Sequence, residues 1–142
     1  MISKIYFTKN NIIKKPLPIL ESGVSAGFPS PAEDHLDLSL DLNEYIVKHP
    51  SSTFYIYAKG DSMIDSNIQD GDLMVVDKSI NPNNKSIVIA VINGEFTVKR
   101  ILYIDKKMYL SPDNKKYNPI EITTDMDFEI WGVVTHVIHQ YK

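Results

Sequence analysis

The chain has 142 residues and a formal net charge of −3, with 43% hydrophobic and 23% charged residues. These values are typical of one globular domain with an additional arm, and no stretch approaches the roughly 20 apolar residues of a membrane helix. The absence of cysteine excludes disulfides, a thiol nucleophile and thiolate metal sites. The first residues lack the apolar core of a secretory signal, so we expect a cytoplasmic protein without membrane anchor or cofactor.

The charge is unevenly distributed along the chain. Residues 1–26 contain four lysines and one glutamate, a net charge of +3, whereas the remainder carries −6. Because phosphate backbones attract basic surfaces, we do not expect this acidic body to bind DNA directly.

Residues 1–35 have the composition of an arm. Four prolines restrict helix formation there, and the small residues 22–27 are typical of protease-accessible chain. Composition alone is equally compatible with a tail that has no function. We therefore predict a flexible arm over 1–35 and a folded body over 36–142.

The body is predicted to be mainly β. Residues 36–40 alternate as in a short strand, and Asp41 with Glu44 resembles a capping box that opens a short helix before Pro50. Six further segments are rich in β-branched and aromatic residues and separated by turn signals: 53–58, 73–77, 86–92, 95–104, 107–112 and 129–138. This pattern indicates a largely antiparallel, partly barrel-like β-domain.

One hairpin has a definite predicted register. Asn93-Gly94 joins two apolar runs and favours a two-residue type I′ turn. Counting back from that turn places Val88 opposite Lys99, and both faces of the resulting ribbon are apolar. The sequence therefore predicts that Lys99 lies on a buried face.

A lysine in such surroundings is a candidate general base. An ordinary lysine has a pKa of about 10.4, and burial lowers it by up to roughly 3–5 units because it disfavours the ammonium. A lysine held neutral near pH 7 can accept a proton. The alternative is that Lys99 extends to the strand edge or pairs with an acid such as Glu95.

A candidate nucleophile follows the segment 53–58. Ser62 lies in Gly60-Asp61-Ser62-Met63, and the backbone N–H groups of Ser62 and Met63 are candidates for stabilising an oxyanion. The alternatives are an ordinary turn or a capping box formed by Ser62 and Asp65.

Ser62 and Lys99 together fit the Ser/Lys form of nucleophile–base chemistry, which needs no histidine. The four histidines are weaker candidates. His136 and His139 are three residues apart in a predicted strand and so point to opposite faces, while His35 and His49 lie near prolines at segment ends. We expect surface or packing roles for all four, and no metal site.

The sequence resembles the self-cleaving family of UmuD and the LexA-type repressors. The resemblance is specific because the motif GDSM is followed some 35 residues later by TVK. An Ala-Gly pair upstream of both motifs makes it more specific. The matching segments, in the family's order, are Ala26-Gly27-Phe28-Pro29-Ser30-Pro31, Asp41-Leu42-Asn43, His49-Pro50-Ser51, Gly60-Asp61-Ser62-Met63-Ile64-Asp65, Asp70-Gly71-Asp72-Leu73, Asp77, Gly94-Glu95-Phe96-Thr97-Val98-Lys99-Arg100 and Gly132-Val133-Val134. UmuD proteins often have cysteine before the cleavage-site glycine, whereas this chain has the alanine of the repressors.

The resemblance implies a LexA/UmuD-like β-fold, a homodimer, a nucleophile at Ser62, a base at Lys99 and a scissile Ala26-Gly27 bond. It further implies self-cleavage stimulated by RecA–single-stranded DNA filaments during the SOS response. The shortened form would then join a UmuC-like Y-family polymerase in error-prone translesion synthesis, which the uncut form restrains.

Two rival interpretations come from other classes of protein. One is a non-catalytic polymerase-binding subunit with a vestigial dyad, against which the intact Ser62, Lys99 and Ala26-Gly27 count. The other is a LexA-like regulator, although residues 1–26 are too short for a helix-turn-helix domain. Signal peptidases share a Ser/Lys dyad but need a membrane anchor, which we do not expect here.

Overall fold

The computed structural model describes residues 2–7, 16–19 and 38–141. The elements fall into two compact units. One unit, within Asn11–Lys48, contains a two-stranded sheet and a short helix. The other, formed by Met1–Asn10 and His49–Lys142, contains an eight-stranded sheet.

The smaller unit contains β2 (Leu17–Ile19), β3 (Leu38–Leu40) and α1 (Leu42–Ile46). β2 and β3 pair antiparallel. Asp41 precedes α1, and its carboxylate accepts a hydrogen bond from the Glu44 N–H at 3.3 Å, which confirms the predicted helix start. Residues 36 and 37 of the predicted strand lie outside the described residues. No helix in the described ranges is long and apolar enough to cross a membrane.

Within the described residues, the larger unit has eight strands and two one-turn 3-10 helices. The strands are β1 (Ile2–Phe7), β4 (Thr53–Ala58), β5 (Leu73–Asp77), β6 (Ile87–Ile92), β7 (Glu95–Ile104), β8 (Lys107–Ser111), β9 (Ile120–Glu121) and β10 (Phe128–Ile138). The 3-10 helices are Pro50–Ser52 and Ile64–Ser66. The order across the sheet is β1-β4-β5-β10-β6-β7-β8-β9, and all its pairs are antiparallel.

The mainly β, antiparallel prediction is confirmed, although the sheet does not close into a barrel. All six strands predicted from residue 53 onward are present within one residue of their predicted ends. The sequence analysis did not predict β1, β2 or β9, whose short runs lack a strong alternation of their own. β1 lies within the predicted arm, and Ala26 and Gly27 lie outside the described residues, so the domain boundary stays a prediction.

The β6–β7 hairpin has the predicted register. Ile92 pairs with Glu95 and Val88 pairs with Lys99. The two faces of the hairpin belong to different hydrophobic clusters. The first core cluster contains Phe54, Ile56, Ala58, Met63, Ile68, Met74, Val76, Ile89 and Val98. The second core cluster contains Val88, Ala90, Ile101, Leu110 and Val133, so Lys99 stands opposite one of its members.

Candidate active site

The turn that carries Ser62 is attached to the loop before β5. At the end of β4 the Ala58 N–H donates to the Asp72 carbonyl at 2.8 Å, and the Gly60 N–H donates to the Asp70 carboxylate at 2.7 Å. Gly60 has φ +91°, a conformation that favours glycine. The chain thus leaves β4 in a fixed direction, and Ser62 follows two residues later in a partly buried position.

The loop after β8 holds the same turn from another side. The Asn114 side-chain amide donates to the Asp61 carbonyl at 2.8 Å, and the Tyr117 hydroxyl donates to the Asp61 carboxylate at 2.7 Å. The hydrogen bond and negative charge of Asp61 raise the pKa of Tyr117. Asp61, which immediately precedes Ser62, therefore ties the turn to a loop more than 50 residues away in sequence.

An ion pair supports the turn after Ser62. Arg100 Nε donates to the Asp113 carboxylate at 2.9 Å, and Arg100 Nη2 donates to Ser66 Oγ at 2.8 Å. The Ser66 hydroxyl also donates to Asp113, whose carbonyl accepts from the Asp65 N–H at 2.8 Å. Because Arg100 follows Lys99 on β7, adjacent residues of one strand contact the turn and its supporting loop.

The Lys99 amine lies 3.2 Å from Ser62 Oγ. It also contacts Thr97 Oγ1 at 2.7 Å and the Val98 carbonyl at 3.1 Å. Burial lowers the pKa of Lys99 from its ordinary value. Among the described residues Lys99 forms no ion pair, so the alternative of a partnership with Glu95 is not observed.

The three oxygen partners of the Lys99 amine are compatible with both of its protonation states. An ammonium has three donors and donates to Ser62 Oγ, Thr97 Oγ1 and the Val98 carbonyl. A neutral amine has two N–H donors and one lone pair, so it can donate to Thr97 and Val98 and accept from the Ser62 hydroxyl. Loss of one proton from Lys99 therefore turns the Ser62 contact into the one that a general base requires.

Two backbone donors beside Ser62 have no acceptor in the described part of the chain. These are the N–H groups of Ser62 and Met63, the two candidates for oxyanion support. The capping-box alternative is not observed, because the 3-10 helix Ile64–Ser66 has Met63 at its N-cap and no side-chain cap. Met63 is 1% exposed and its side chain lies in the first core cluster, which fixes the turn against the body.

Two adjacent clefts share Lys99 and Ile120. One, of about 400 Å³, is lined by Ser62, by the loop residues Tyr117 and Asn118 and by the preceding turn. The other, of about 470 Å³, extends toward the tip of the β6–β7 hairpin at Asn93. Both clefts reach Lys99, and the first also reaches Ser62.

A second group of polar residues has the composition of a catalytic triad but not its geometry. His49 Nδ1 lies 2.6 Å from the Asp77 carboxylate and 3.1 Å from Ser79 Oγ. Both partners contact the same ring nitrogen, whereas a triad places serine and carboxylate on opposite nitrogens. Burial by itself would raise the pKa of Asp77, but hydrogen bonds from Ser79 and His49 outweigh it and lower that pKa.

The remaining described histidines also have structural contacts. His139 Nδ1 lies 2.5 Å from the buried Asp72 carboxylate, and His136 Nδ1 contacts Thr135. His35 lies outside the described residues. Within those residues no three His, Asp or Glu side chains converge as metal ligands would.

Comparison with known proteins assigns the family. Residues 18–135 match the model of the Peptidase S24-like family. The chain belongs to this family. It is 44% identical over 126 residues to Protein MucA of Salmonella typhimurium, covering 88% of this chain and 86% of MucA. It is 42% identical over 130 residues to Protein SamA of the same species, covering 92% and 90%.

The LexA repressor of Clostridium novyi is also similar, with 33% identity over 140 residues, 96% of this chain and 68% of the repressor. These similarities confirm the resemblance to UmuD and the LexA-type repressors. They place this S24 chain in a family of serine peptidases.

The sequence analysis missed several residues around Ser62 and Lys99. Thr97 had a usable signal, because residues two apart on a strand share a face. No sequence signal predicts the contacts of Asp61 with Asn114 and Tyr117. These contacts join two loops that are distant in sequence, and neither loop has a periodic pattern.

Proposed function

We propose that this protein is a self-cleaving serine peptidase in which Ser62 is the nucleophile, Lys99 is the general base and the Ala26-Gly27 bond is the substrate. The proposal rests on one observation above all. The partly buried Lys99 amine lies 3.2 Å from Ser62 Oγ, with its pKa lowered by burial and its other contacts made to uncharged oxygens.

In the first half of the reaction, the Lys99 amine accepts the Ser62 hydroxyl proton as Oγ attacks the Ala26 carbonyl carbon. The N–H groups of Ser62 and Met63 stabilise the resulting oxyanion. The Lys99 ammonium then donates its proton to the Gly27 nitrogen as the C–N bond breaks. Ala26 is left as an ester on Ser62, and Gly27 becomes a free amino terminus.

In the second half, Lys99 accepts a proton from water, whose oxygen attacks the ester carbon. The ester bond breaks, the proton returns to Ser62 Oγ, and the fragment 1–26 is released with a new carboxyl terminus. Each chain is cut once. Because the substrate is tethered, the rate depends on how often residues 26 and 27 reach Ser62 in an attack geometry.

By resemblance to UmuD, we assign the protein to error-prone translesion synthesis in the cytoplasm during the SOS response. In this proposal it acts as a homodimer, with a RecA–single-stranded DNA filament as activator and a UmuC-like Y-family polymerase as partner. An activator needs only to favour the conformation in which the scissile bond lies at Ser62. The family membership and the similarity to MucA and SamA support this assignment.

The pH dependence of unstimulated cleavage tests the chemical proposal. If neutral Lys99 is the base, the rate rises about tenfold per pH unit below its pKa and levels off above it. The midpoint should lie below the ordinary lysine value of about 10.4, because burial lowers the pKa of Lys99. The measurement is the first-order rate of loss of intact chain between pH 6 and 10.5, followed by mass spectrometry.

The matched control is Lys59→Met, which removes another lysine that lines the same cleft. This variant should retain the profile of the parent. A flat profile in the parent, or a profile that disappears in Lys59→Met, contradicts the assignment of Lys99 as the base.

A further inference from the structure

β4 has the composition of an interior strand although only β1 separates it from the edge of the sheet. Its sequence, Thr-Phe-Tyr-Ile-Tyr-Ala, contains no charge, proline or glycine. Phe54 and Ile56 have no exposed surface and lie in the first core cluster. Natural edge strands usually carry lysine, proline or a bulge that prevents pairing with other chains, and β4 lacks the first two.

The backbone of β4 points to its two neighbours at alternate residues. The Ser52 carbonyl and the Ala58 N–H both bond toward the β5 side, at 2.8 Å from Lys78 N and from the Asp72 carbonyl. Because successive residues of a strand alternate, the N–H and carbonyl groups of Tyr55 and Tyr57 point toward β1. Tyr6 stands directly opposite Tyr55 in the antiparallel register.

We propose that the outer edge of β4 is a docking site for an extended segment of a partner protein, and that β1 covers this edge until self-cleavage removes it. The inference rests on the proposed function, because β1 belongs to residues 1–26, which cleavage after Ala26 separates from the body. Because β1 occupies this edge in the uncut chain, we expect the partner segment to resemble β1 in length and composition. β1 is an antiparallel strand of about six residues rich in isoleucine and aromatic residues.

Cleavage changes the competition for this edge without altering the edge itself. While β1 is tethered, its effective concentration near β4 is high. Once cut, a six-residue strand pairing on its own is marginal in water, so the fragment dissociates. The N–H and carbonyl groups of Tyr55 and Tyr57 then become available to another strand, which gains main-chain hydrogen bonds by adding to the sheet.

The test uses the full chain with Ser62→Ala, which keeps residues 1–26 attached whether or not the dyad is correct. Tyr6→Pro removes the backbone N–H that faces Tyr55. Ile5→Pro is the matched control, because the N–H that it removes faces away from β4 and a proline at such a position of an edge strand is tolerated. Tyr6→Val is the control for the side chain. Amide hydrogen exchange of Tyr55 and Tyr57, resolved by NMR, should accelerate at least about tenfold only in Tyr6→Pro. The amides of Phe54 and Ile56, which face β5, should remain protected in all three variants.

A synthetic peptide of residues 1–10 should then restore the protection of Tyr55 and Tyr57 in the Tyr6→Pro protein, but only at roughly millimolar concentration, because the untethered strand binds weakly. The same peptide N-methylated at Tyr6 should not, because it lacks the bonding N–H. Unchanged exchange in Tyr6→Pro would show that β1 does not cover the edge and would overturn the proposal. The proposal would also be overturned if the Tyr6→Pro protein self-associated with increasing concentration and the peptide did not reverse this association. A second copy of the chain would then occupy the edge.

Failure of this test is distinct from failure of the proposed function. The exchange measurements involve no cleavage, whereas the pH–rate measurements do not depend on what pairs with β4.

Discussion

Val88 faces Lys99 across the β6–β7 hairpin, and Val88 has no exposed surface. Directly opposed residues of an antiparallel pair have Cβ atoms about 4.5–5.5 Å apart. The residue at position 88 therefore sets the polarity next to the Lys99 side chain, and a charge introduced there should act on it strongly.

A carboxylate at position 88 should move the pH profile of cleavage. The carboxylate of Val88→Glu should stabilise the Lys99 ammonium, raise the pKa of Lys99 and shift the rise in rate to higher pH. Each pH unit of displacement corresponds to about 1.4 kcal/mol of additional stabilisation of the ammonium relative to the amine. The control is Val91→Glu, which places the same charge on the other face of β6. Both variants must first give a dispersed NMR spectrum, because a buried charge is destabilising. An unmoved midpoint in folded Val88→Glu protein would contradict the role of Lys99.

Lys99 should also make stability depend on pH. Because its folded-state pKa lies below the unfolded value of about 10.4, the unfolded chain binds more protons between these two values. The free energy of unfolding therefore rises with pH across that window, and the cost of the buried ammonium persists below it. Urea titrations of Ser62→Ala protein with and without Lys99→Met should differ by this slope, with the Met variant relatively more stable at low pH. Parallel curves would mean that the pKa of Lys99 is the same in both states.

Thr97 should position the Lys99 amine. Thr97→Val keeps the shape of the side chain but removes the oxygen 2.7 Å from Nζ. An acceptor stabilises an ammonium more than an amine, so its loss should lower the pKa of Lys99 and move the profile to lower pH. The maximal rate should fall because the amine loses one of its two orienting acceptors. The control is Thr124→Val at an exposed position, and equal profiles for the two variants would exclude the role of Thr97.

The Arg100–Asp113 pair should hold the turn that follows Ser62. Asp113→Asn removes the charge that Arg100 and Ser66 contact, and we expect a loss of about 1–3 kcal/mol in the free energy of unfolding. The maximal cleavage rate should fall while the pH midpoint stays, since the environment of Lys99 is unchanged. Glu121→Gln breaks the exposed pair with Lys107 and should cost at most about 1 kcal/mol without affecting the rate. A displaced midpoint in Asp113→Asn would show that the pair acts on Lys99 instead.

The local structure around Lys99 could be predicted from the sequence, and its distance from Ser62 could not. Asn93-Gly94 specifies a two-residue turn, so the register of Val88 and Lys99 follows by counting. Ser62 is 37 residues before Lys99, and no periodicity relates them. Their pairing is suggested by the complementary chemistry of a serine and a buried lysine, and the family resemblance makes that suggestion specific.

The elements missed by the sequence analysis depend on partners that are distant in the chain. β1 pairs with β4, nearly 50 residues later, and its own six residues do not alternate regularly. The ion pair of Arg100 and Asp113 joins β7 to a loop whose conformation has no sequence signature. Tertiary contacts rather than local propensity determine both features.

The mass of the product tests the central claim most directly. Incubation of the parent at mildly alkaline pH should yield a body of residues 27–142 and a fragment of residues 1–26. Ser62→Ala and Lys99→Met should remain intact under the same conditions, and Lys59→Met should be cut like the parent. A break at another bond would contradict the assignment of Ala26-Gly27, and an equal yield from Ser62→Ala would contradict the nucleophile.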